Sequence, residues 1–325
     1  MKPFKVGILG TGWIAERMAE TLSGMEGVEK YAVASRTDEK AAEFAAQWGF
    51  SRSYGSYEAL AQDPDVDLVY IATPHSHHYD NVKMCLLAGR HVLCEKAFTA
   101  NARQAEEIIA MARERNLFLT EAIWTRYQPF RQTVLDIMNS GVIGKIHQLS
   151  ANLCYPNIGL PRMYLPELAG GALLDIGVYA INFAAMFFGS DYKIVASSCQ
   201  LTDTGVDLTN TMTLHWPDGR MGILWSSNSV RSERQGVISG EKGHIIIENI
   251  NNPQSATVVD NDYNVIEVVK CPKQITGYEY QVYESMECIR NGKLESSFMP
   301  HAETIRIMKE MDDLRAAWGV KYPWD

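Results

Sequence analysis

Several things are scarce in this chain, and each scarcity excludes something. Among 325 residues there are only six cysteines, Cys85, Cys94, Cys154, Cys199, Cys271 and Cys288. No two of them form a Cys-x-x-Cys pair, so neither a zinc ribbon nor a dithiol redox motif is expected. Several lie inside apolar runs, which reads as buried free thiols in a reducing cytoplasm. No apolar run reaches the roughly 20 residues that a bilayer-crossing helix needs. Met1-Lys2-Pro3-Phe4 leads directly into the first strand, leaving no room for a signal peptide. Positive charge is in deficit: 30 Lys+Arg stand against 39 Asp+Glu, a net charge of −9. That balance argues against nucleic-acid or membrane partners. There is no internal repeat and no low-complexity segment.

What is present is enough apolar material, 46% of the chain, for two domain cores. The first 122 residues alternate strand and helix. Apolar runs at 6–9, 31–35, 67–73, 91–95 and 117–121 read as strands, and helical stretches separate them. That order predicts a parallel, doubly wound Rossmann sheet over residues 1–122. From Trp124 the pattern changes. A helix at 130–140, a strand at 146–154 and a helix at 173–188 are followed by three hairpins around 217–219, 241–243 and 261–262. Residues 123–325 are therefore expected to form an α+β domain with a largely antiparallel, open-faced sheet. An uncovered apolar sheet face is a candidate homodimer surface.

The strongest local signal is Gly10-Thr11-Gly12-Trp13-Ile14-Ala15, a Gly-x-Gly-x-x-Ala turn that follows a strand and opens a helix. Bare backbone N–H groups and the positive end of a helix there suit a pyrophosphate. Gly10 permits the turn, Gly12 keeps side-chain bulk away from the phosphates, and Ala15 lets helix and strand approach. The second strand ends in Ser35-Arg36-Thr37. A free ribose 2′-hydroxyl usually meets an acid at that point, whereas a 2′-phosphate is served by an arginine and hydroxyls. With no acid at 34–36, NADP is expected over NAD.

Ligands of doubly wound sheets sit beyond the carboxyl ends of the strands. The other such ends are Thr73-Pro74-His75-Ser76-His77-His78 and Glu95-Lys96. Thr73, Pro74, His75, His78, Glu95 and Lys96 are accordingly candidate cofactor contacts. No metal is expected, because the adjacent His77 and His78 cannot readily face one ion. Lys96 is either surface punctuation or an ammonium aimed at a substrate hydroxyl, where it lowers nearby pKa values. Asp175 and Tyr179 lie four apart on an apolar helix and leave the same face. A carboxylate and a phenol there are either a structural hydrogen-bonded pair or chemical groups. A phenol, with a reference pKa of about 10, becomes a base near neutrality only beside a positive charge. Trp124, Tyr155 and Tyr278 can supply an aromatic pocket wall, or they are ordinary core residues.

Taken together, the Gly-x-Gly-x-x-Ala start, Ala72-Thr73-Pro74-His75, Leu93-Cys94-Glu95-Lys96 and the helix carrying Asp175 and Tyr179 resemble the Gfo/Idh/MocA oxidoreductase family over essentially the whole chain. Glu121-Ala122-Ile123-Trp124-Thr125-Arg126 and a tyrosine at 179, where most members have histidine, look most like its dimeric dihydrodiol and NADP-dependent xylose dehydrogenase branch. The resemblance implies that Lys96 and Tyr179 are the catalytic pair, that Asp175 orients the substrate or the pair, and that Trp124 lines the substrate pocket. It also implies NADP as cofactor, a sugar or cyclic diol as substrate, and a dimer through the open sheet. One departure stands out. The family usually has proline after the lysine, often with a cis bond, and here Ala97 follows. A cis bond before a non-proline residue costs roughly 3 kcal/mol, against under 1 before proline, so a trans bond, or a cis bond at that cost, is expected. A second reading from another class is a non-catalytic NADP-binding regulator on the same scaffold.

Overall fold

The structure is a computed structural model that describes residues 2–325. Its first half opens with strand β1 (Phe4–Leu9), helix α1 (Trp13–Ser23), β2 (Val28–Ala34), α2 (Asp38–Trp48), β3 (Arg52–Tyr54) and α3 (Tyr57–Ala61). It continues with β4 (Leu68–Ile71), α4 (His78–Leu87), β5 (Val92–Glu95), α5 (Ala102–Glu114) and β6 (Leu119–Ala122). The six strands pair in the order β3-β2-β1-β4-β5-β6, and every pairing is parallel. This is the doubly wound order with its switch point between β1 and β4, where a ligand crevice opens. Parallel strands covered on both faces must be apolar throughout, and Val6, Ile8, Leu9, Leu68, Val69, Ile71, Val92 and Leu93 are all fully buried.

The second half contains α6 (Phe130–Asn139), β7 (Ile146–Cys154), the short α7 (Pro161–Tyr164) and a wide helical turn, Leu173–Gly177, that runs into α8 (Val178–Phe188). Strands β8 (Lys193–Leu201), β9 (Asp207–His215), β10 (Met221–Ser227), β11 (Gly236–Gly240), β12 (Gly243–Ile247), β13 (Ser255–Asp260) and β14 (Val265–Lys270) follow. Helices α9 (Glu279–Arg290) and α10 (His301–Trp318) come last. The eight strands β7–β14 form one sheet in the order β14-β13-β12-β11-β7-β10-β9-β8. All neighbours are antiparallel except β7 and β10. Helix α8 packs on β7 and β10 and is buried along nearly its whole length. The opposite face exposes Met221 and Ile223, and the end strands expose Val195, Leu201, Val265, Ile266 and Val268.

The chain divides into two compact units. One comprises residues up to 127 together with 274–309 and Trp324. The other comprises 128–273, 310–323 and Asp325. A single boundary at residue 122 does not anticipate this grouping, because α9 and the start of α10 return to the first unit. The reading that no stretch has bilayer-crossing length is also corrected. Pro166–Phe188 has the length and apolarity, but the 18-residue stretch within it that is most apolar is buried throughout. Its hydrophobicity is that of a core helix.

Candidate active site

At the end of β1 the chain turns sharply, with Gly10 at φ +107°. A Cβ on Gly10 would stand 2.8 Å from the Ala72 carbonyl oxygen, so both the backbone angle and the close approach to β4 require glycine. Gly12 is the reverse case: its φ is −88°, and a Cβ there would meet nothing within 4 Å. It opens α1 without any side-chain cap, so the first turn offers its N–H groups outward over open space. This cradle fits a diphosphate. Thr11, the exposed Trp13 and Ile14 frame it. At the end of β2, the buried Ser35 hydroxyl lies 3.3 Å from that of Thr11, and Arg36 is exposed. Thr37 is committed to capping α2, its hydroxyl accepting from the Lys40 N–H at 3.4 Å. The Arg36 charge also reaches Tyr57 at the start of α3. It opposes the rise in that phenol's pKa, which is driven chiefly by burial.

The two other strand ends are tied together by one side chain. His78 is fully buried, with Nδ1 2.8 Å from the Ala97 carbonyl oxygen and Nε2 2.8 Å from that of Thr73. Burial pushes its pKa down to about 4, so the ring is neutral and donates one proton only. The expected cofactor contact by His78 is therefore corrected. With no exposed surface, it instead holds the loop after β4 against the loop that carries Lys96. Thr73 is half-buried, and its hydroxyl accepts from Asn81 Nδ2 at 3.0 Å. Pro74 is also half-buried, while His75 is buried with its ring 5.8 Å from that of His78. The Glu95 carboxylate is buried and accepts from the Tyr70 hydroxyl and, at 3.2 Å, from the Lys96 backbone N–H. Lys96 is half-buried, and the Lys96–Ala97 bond is cis, the second of the two alternatives open to the sequence.

Beneath this loop, Glu121 is buried at the end of β6 and accepts from the Thr304 hydroxyl at 3.1 Å. Burial raises its pKa to about 7 against the pull of Arg126. Arg126 is itself buried in an ion pair with Glu303 at 2.8 Å. Trp124 and Tyr278, both in the first unit, stack with ring centroids 3.9 Å apart and planes 4° from parallel. Tyr155 belongs to the second unit. Its hydroxyl accepts from Arg234 Nη1 at 3.2 Å and reaches Asn251 Oδ1 at 3.4 Å. The structure thus joins two of the three aromatics expected at the pocket.

In the second unit, Asp175 sits within the wide turn and Tyr179 in the first turn of α8, both largely buried. The regular helix expected over 173–188 is interrupted there, since Leu173–Gly177 has π geometry. Arg162 of α7, which sequence reasoning missed, pairs with Asp175 at 3.3 Å while nearly half its side chain remains exposed. The spacing of 13 residues across a loop gives no local signal for that contact.

Comparison with known proteins assigns this architecture. An oxidoreductase-family model with an NAD-binding Rossmann fold (Gfo/Idh/MocA) matches residues 4–122, and the C-terminal-domain model of the same family matches residues 131–246. The chain belongs to the Gfo/Idh/MocA family. Among curated relatives of this Gfo/Idh/MocA chain is trans-1,2-dihydrobenzene-1,2-diol dehydrogenase of Xenopus laevis, 36% identical over 98% of this chain and 99% of the relative. The Homo sapiens enzyme of the same name is 34% identical over 98% of each. Among solved structures, a 3-ketoreductase from Actinomadura kijaniata in complex with NADP and TDP-benzene superposes with a TM-score of 0.88. It is 28% identical, and 97% of each chain is covered. The Gfo/Idh/MocA chain is an oxidoreductase with an NAD(P)-binding Rossmann domain.

Proposed function

We propose that this chain is an NADP-dependent dehydrogenase that oxidises a secondary alcohol of a sugar or cyclic diol. The observation that carries the reading is that Asp175 and Tyr179 lie four residues apart on the core helix, both largely buried, in an oxidoreductase whose first glycine turn offers N–H groups over open space. A bound nicotinamide supplies acceptance of the carbinol hydrogen as hydride. Tyr179 takes the proton from the reacting hydroxyl, and the Lys96 ammonium stabilises the phenolate that doing so requires. Asp175 orients the hydroxyl, with Arg162 compensating its charge. Trp124 and Tyr278 form a flat apolar wall suited to a ring, and Tyr155 is kept as a candidate substrate contact. The relatives named above as dihydrodiol dehydrogenases support the substrate class. Structures of the ketoreductase named above with a lysine or a tyrosine replaced direct attention to the same two residue types.

The preference for NADP rests on Ser35 and Arg36, with no acid beside them, and on the NADP complex of that ketoreductase. The open sheet face, where Met221 and Ile223 stand exposed beside Gln148, Ser150, Thr213 and His215, is proposed to be covered by a second copy of this chain. The test is reduction of NADP and of NAD with a panel of pentoses, hexoses, inositols and trans-dihydrodiols. Turnover with NADP and at least one ring alcohol is expected. Tight NADP binding without turnover of any substrate would replace this reading with that of a regulator.

A further inference from the structure

The sheet face beneath the Asp175–Tyr179 helix is apolar along most of its length, with Met212, Leu214 and Leu224 all buried. At one end it carries three fully buried polar side chains instead: Asp207 and Asn210 of β9 and Ser226 of β10, which pairs with Asn210 in register. They form a chain. Ser226 Oγ donates to Asn210 Oδ1 at 2.9 Å, and Asn210 Nδ2 donates to Asp207 Oδ2 at 2.8 Å. The chain ends on the helix, where the Leu173 backbone N–H donates to the same Asp207 oxygen at 2.7 Å. Its other end also meets the helix, because a Cβ on Gly177 would stand 3.0 Å from Ser226 Oγ. Leu173 and Gly177 are the two ends of the wide turn, and Asp175 lies midway between them.

We infer that Asp207, through Asn210 and Ser226, is the positioning residue that seats this turn and so fixes where Asp175 and Tyr179 point. Three physical considerations support the inference. A helix start has orphan N–H groups; no side chain within the segment caps this one, and Asp207 reaches it from 34 residues away. In a regular helix, residues four apart are offset by about 40° around the axis. The wider turn advances less per residue and brings positions 175 and 179 closer to eclipse. Finally, glycine stands on both sides of the seat, and at one of them it is required. Gly171, at φ +120°, would place a Cβ 2.2 Å from Asp207 Oδ1, and Gly177 lies against Ser226. The Gly171 N–H also donates to the Met163 carbonyl at 2.8 Å, which ties α7 and its Arg162 to the same anchor.

The inference rests on the proposed function only in calling Asp175 and Tyr179 the groups that matter, so its test uses two readouts. The first is amide hydrogen exchange over residues 173–179. The second is kcat on whichever panel substrate the wild type turns over. Asp207→Ala is expected to accelerate exchange in that segment selectively. It should lower kcat on the order of 10- to 100-fold, as a misplacement of about 1 Å does, while leaving NADP affinity within about twofold. Asp207→Asn should retain kcat within about threefold, because both hydrogen bonds fall on one oxygen that an amide carbonyl can replace. If Asp207→Ala does not fold, Asn210→Ala should produce a weaker version of both effects. A folded Ala variant with wild-type exchange at 173–179, or with faster exchange but unchanged kcat, overturns the inference. A wild type that turns over no substrate refutes the dehydrogenase reading instead, and the exchange result still decides whether Asp207 seats the turn.

Discussion

Replacing Gly12 and Gly10 by alanine separates fold from cofactor in adjacent turns of the same loop. At Gly12 the backbone already has angles open to any residue, and a Cβ meets no atom of the protein within 4 Å. Gly12→Ala therefore leaves the fold undisturbed. By narrowing the unfolded ensemble it adds about 0.4–1 kcal/mol of stability. The added methyl group occupies the space through which a pyrophosphate approaches the N–H groups of α1. NADP affinity should fall at least about tenfold, about 1.4 kcal/mol. Gly10→Ala is the opposite perturbation. At φ +107° with a Cβ 2.8 Å from the Ala72 carbonyl, it costs about 1–3 kcal/mol of backbone strain before any repulsion is counted. The melting temperature should drop by several degrees. Differential scanning fluorimetry with and without NADP, paired with a fluorescence titration, reads both effects. A Gly12→Ala protein that binds NADP as tightly as wild type would refute the placement of the diphosphate.

Three further outcomes follow from the same structure. Arg36→Ala should reduce kcat/KM for NADP by on the order of 10-fold or more while leaving that for NAD nearly unchanged; equal losses for both would remove Arg36 from the 2′-phosphate. Burial raises the Glu121 pKa from 4.5 to about 7. The folded protein then keeps a proton that the unfolded chain releases, so this group's stabilisation is complete below pH 4.5 and declines as pH rises towards 7. The loss is about 3 kcal/mol. Denaturant midpoints of Glu121→Gln should gain on wild type across that window, and parallel pH dependences would contradict the burial argument. Ile223→Asp on the open sheet face should shift the protein from dimer to monomer in sedimentation velocity without altering NADP affinity. A wild-type monomer, or a variant that stays dimeric, would exclude that face.

Much of this architecture is legible in the chain because it is locally encoded. The buried parallel strands are apolar without interruption, and the glycine turn at residues 10–12 needs no tertiary information. The hairpins also announce themselves, Gly236–Gly240 with Gly243–Ile247 and Ser255–Asp260 with Val265–Lys270. Strand Lys193–Leu201 is not legible, because both its faces are largely exposed and no inside–outside alternation marks it. The parallel pairing of β7 with β10 joins segments about 70 residues apart and leaves no periodic signature. At the candidate site, the identities of Lys96, Asp175 and Tyr179 stand out as polar residues in apolar surroundings. The partners that hold them do not. His78 reads as a ligand contact until its two carbonyl neighbours, Thr73 and Ala97, are seen to enclose it. Asp207 looks like any acid at a strand start until Leu173 is found upon it. Long-range hydrogen bonds of this kind depend on tertiary geometry and not on spacing along the chain.

The most direct test of the account is the rate of NADPH formation by wild type and Tyr179→Phe with the best ring alcohol of the panel, measured in a single turnover with saturating NADP. Removing one hydroxyl from a buried ring should leave the fold and cofactor affinity intact while lowering the rate on the order of 100-fold or more, the contribution of a positioned general base. A phenylalanine variant that reduces NADP at the wild-type rate would show that the proton leaves by another route, and the proposed chemistry would be wrong.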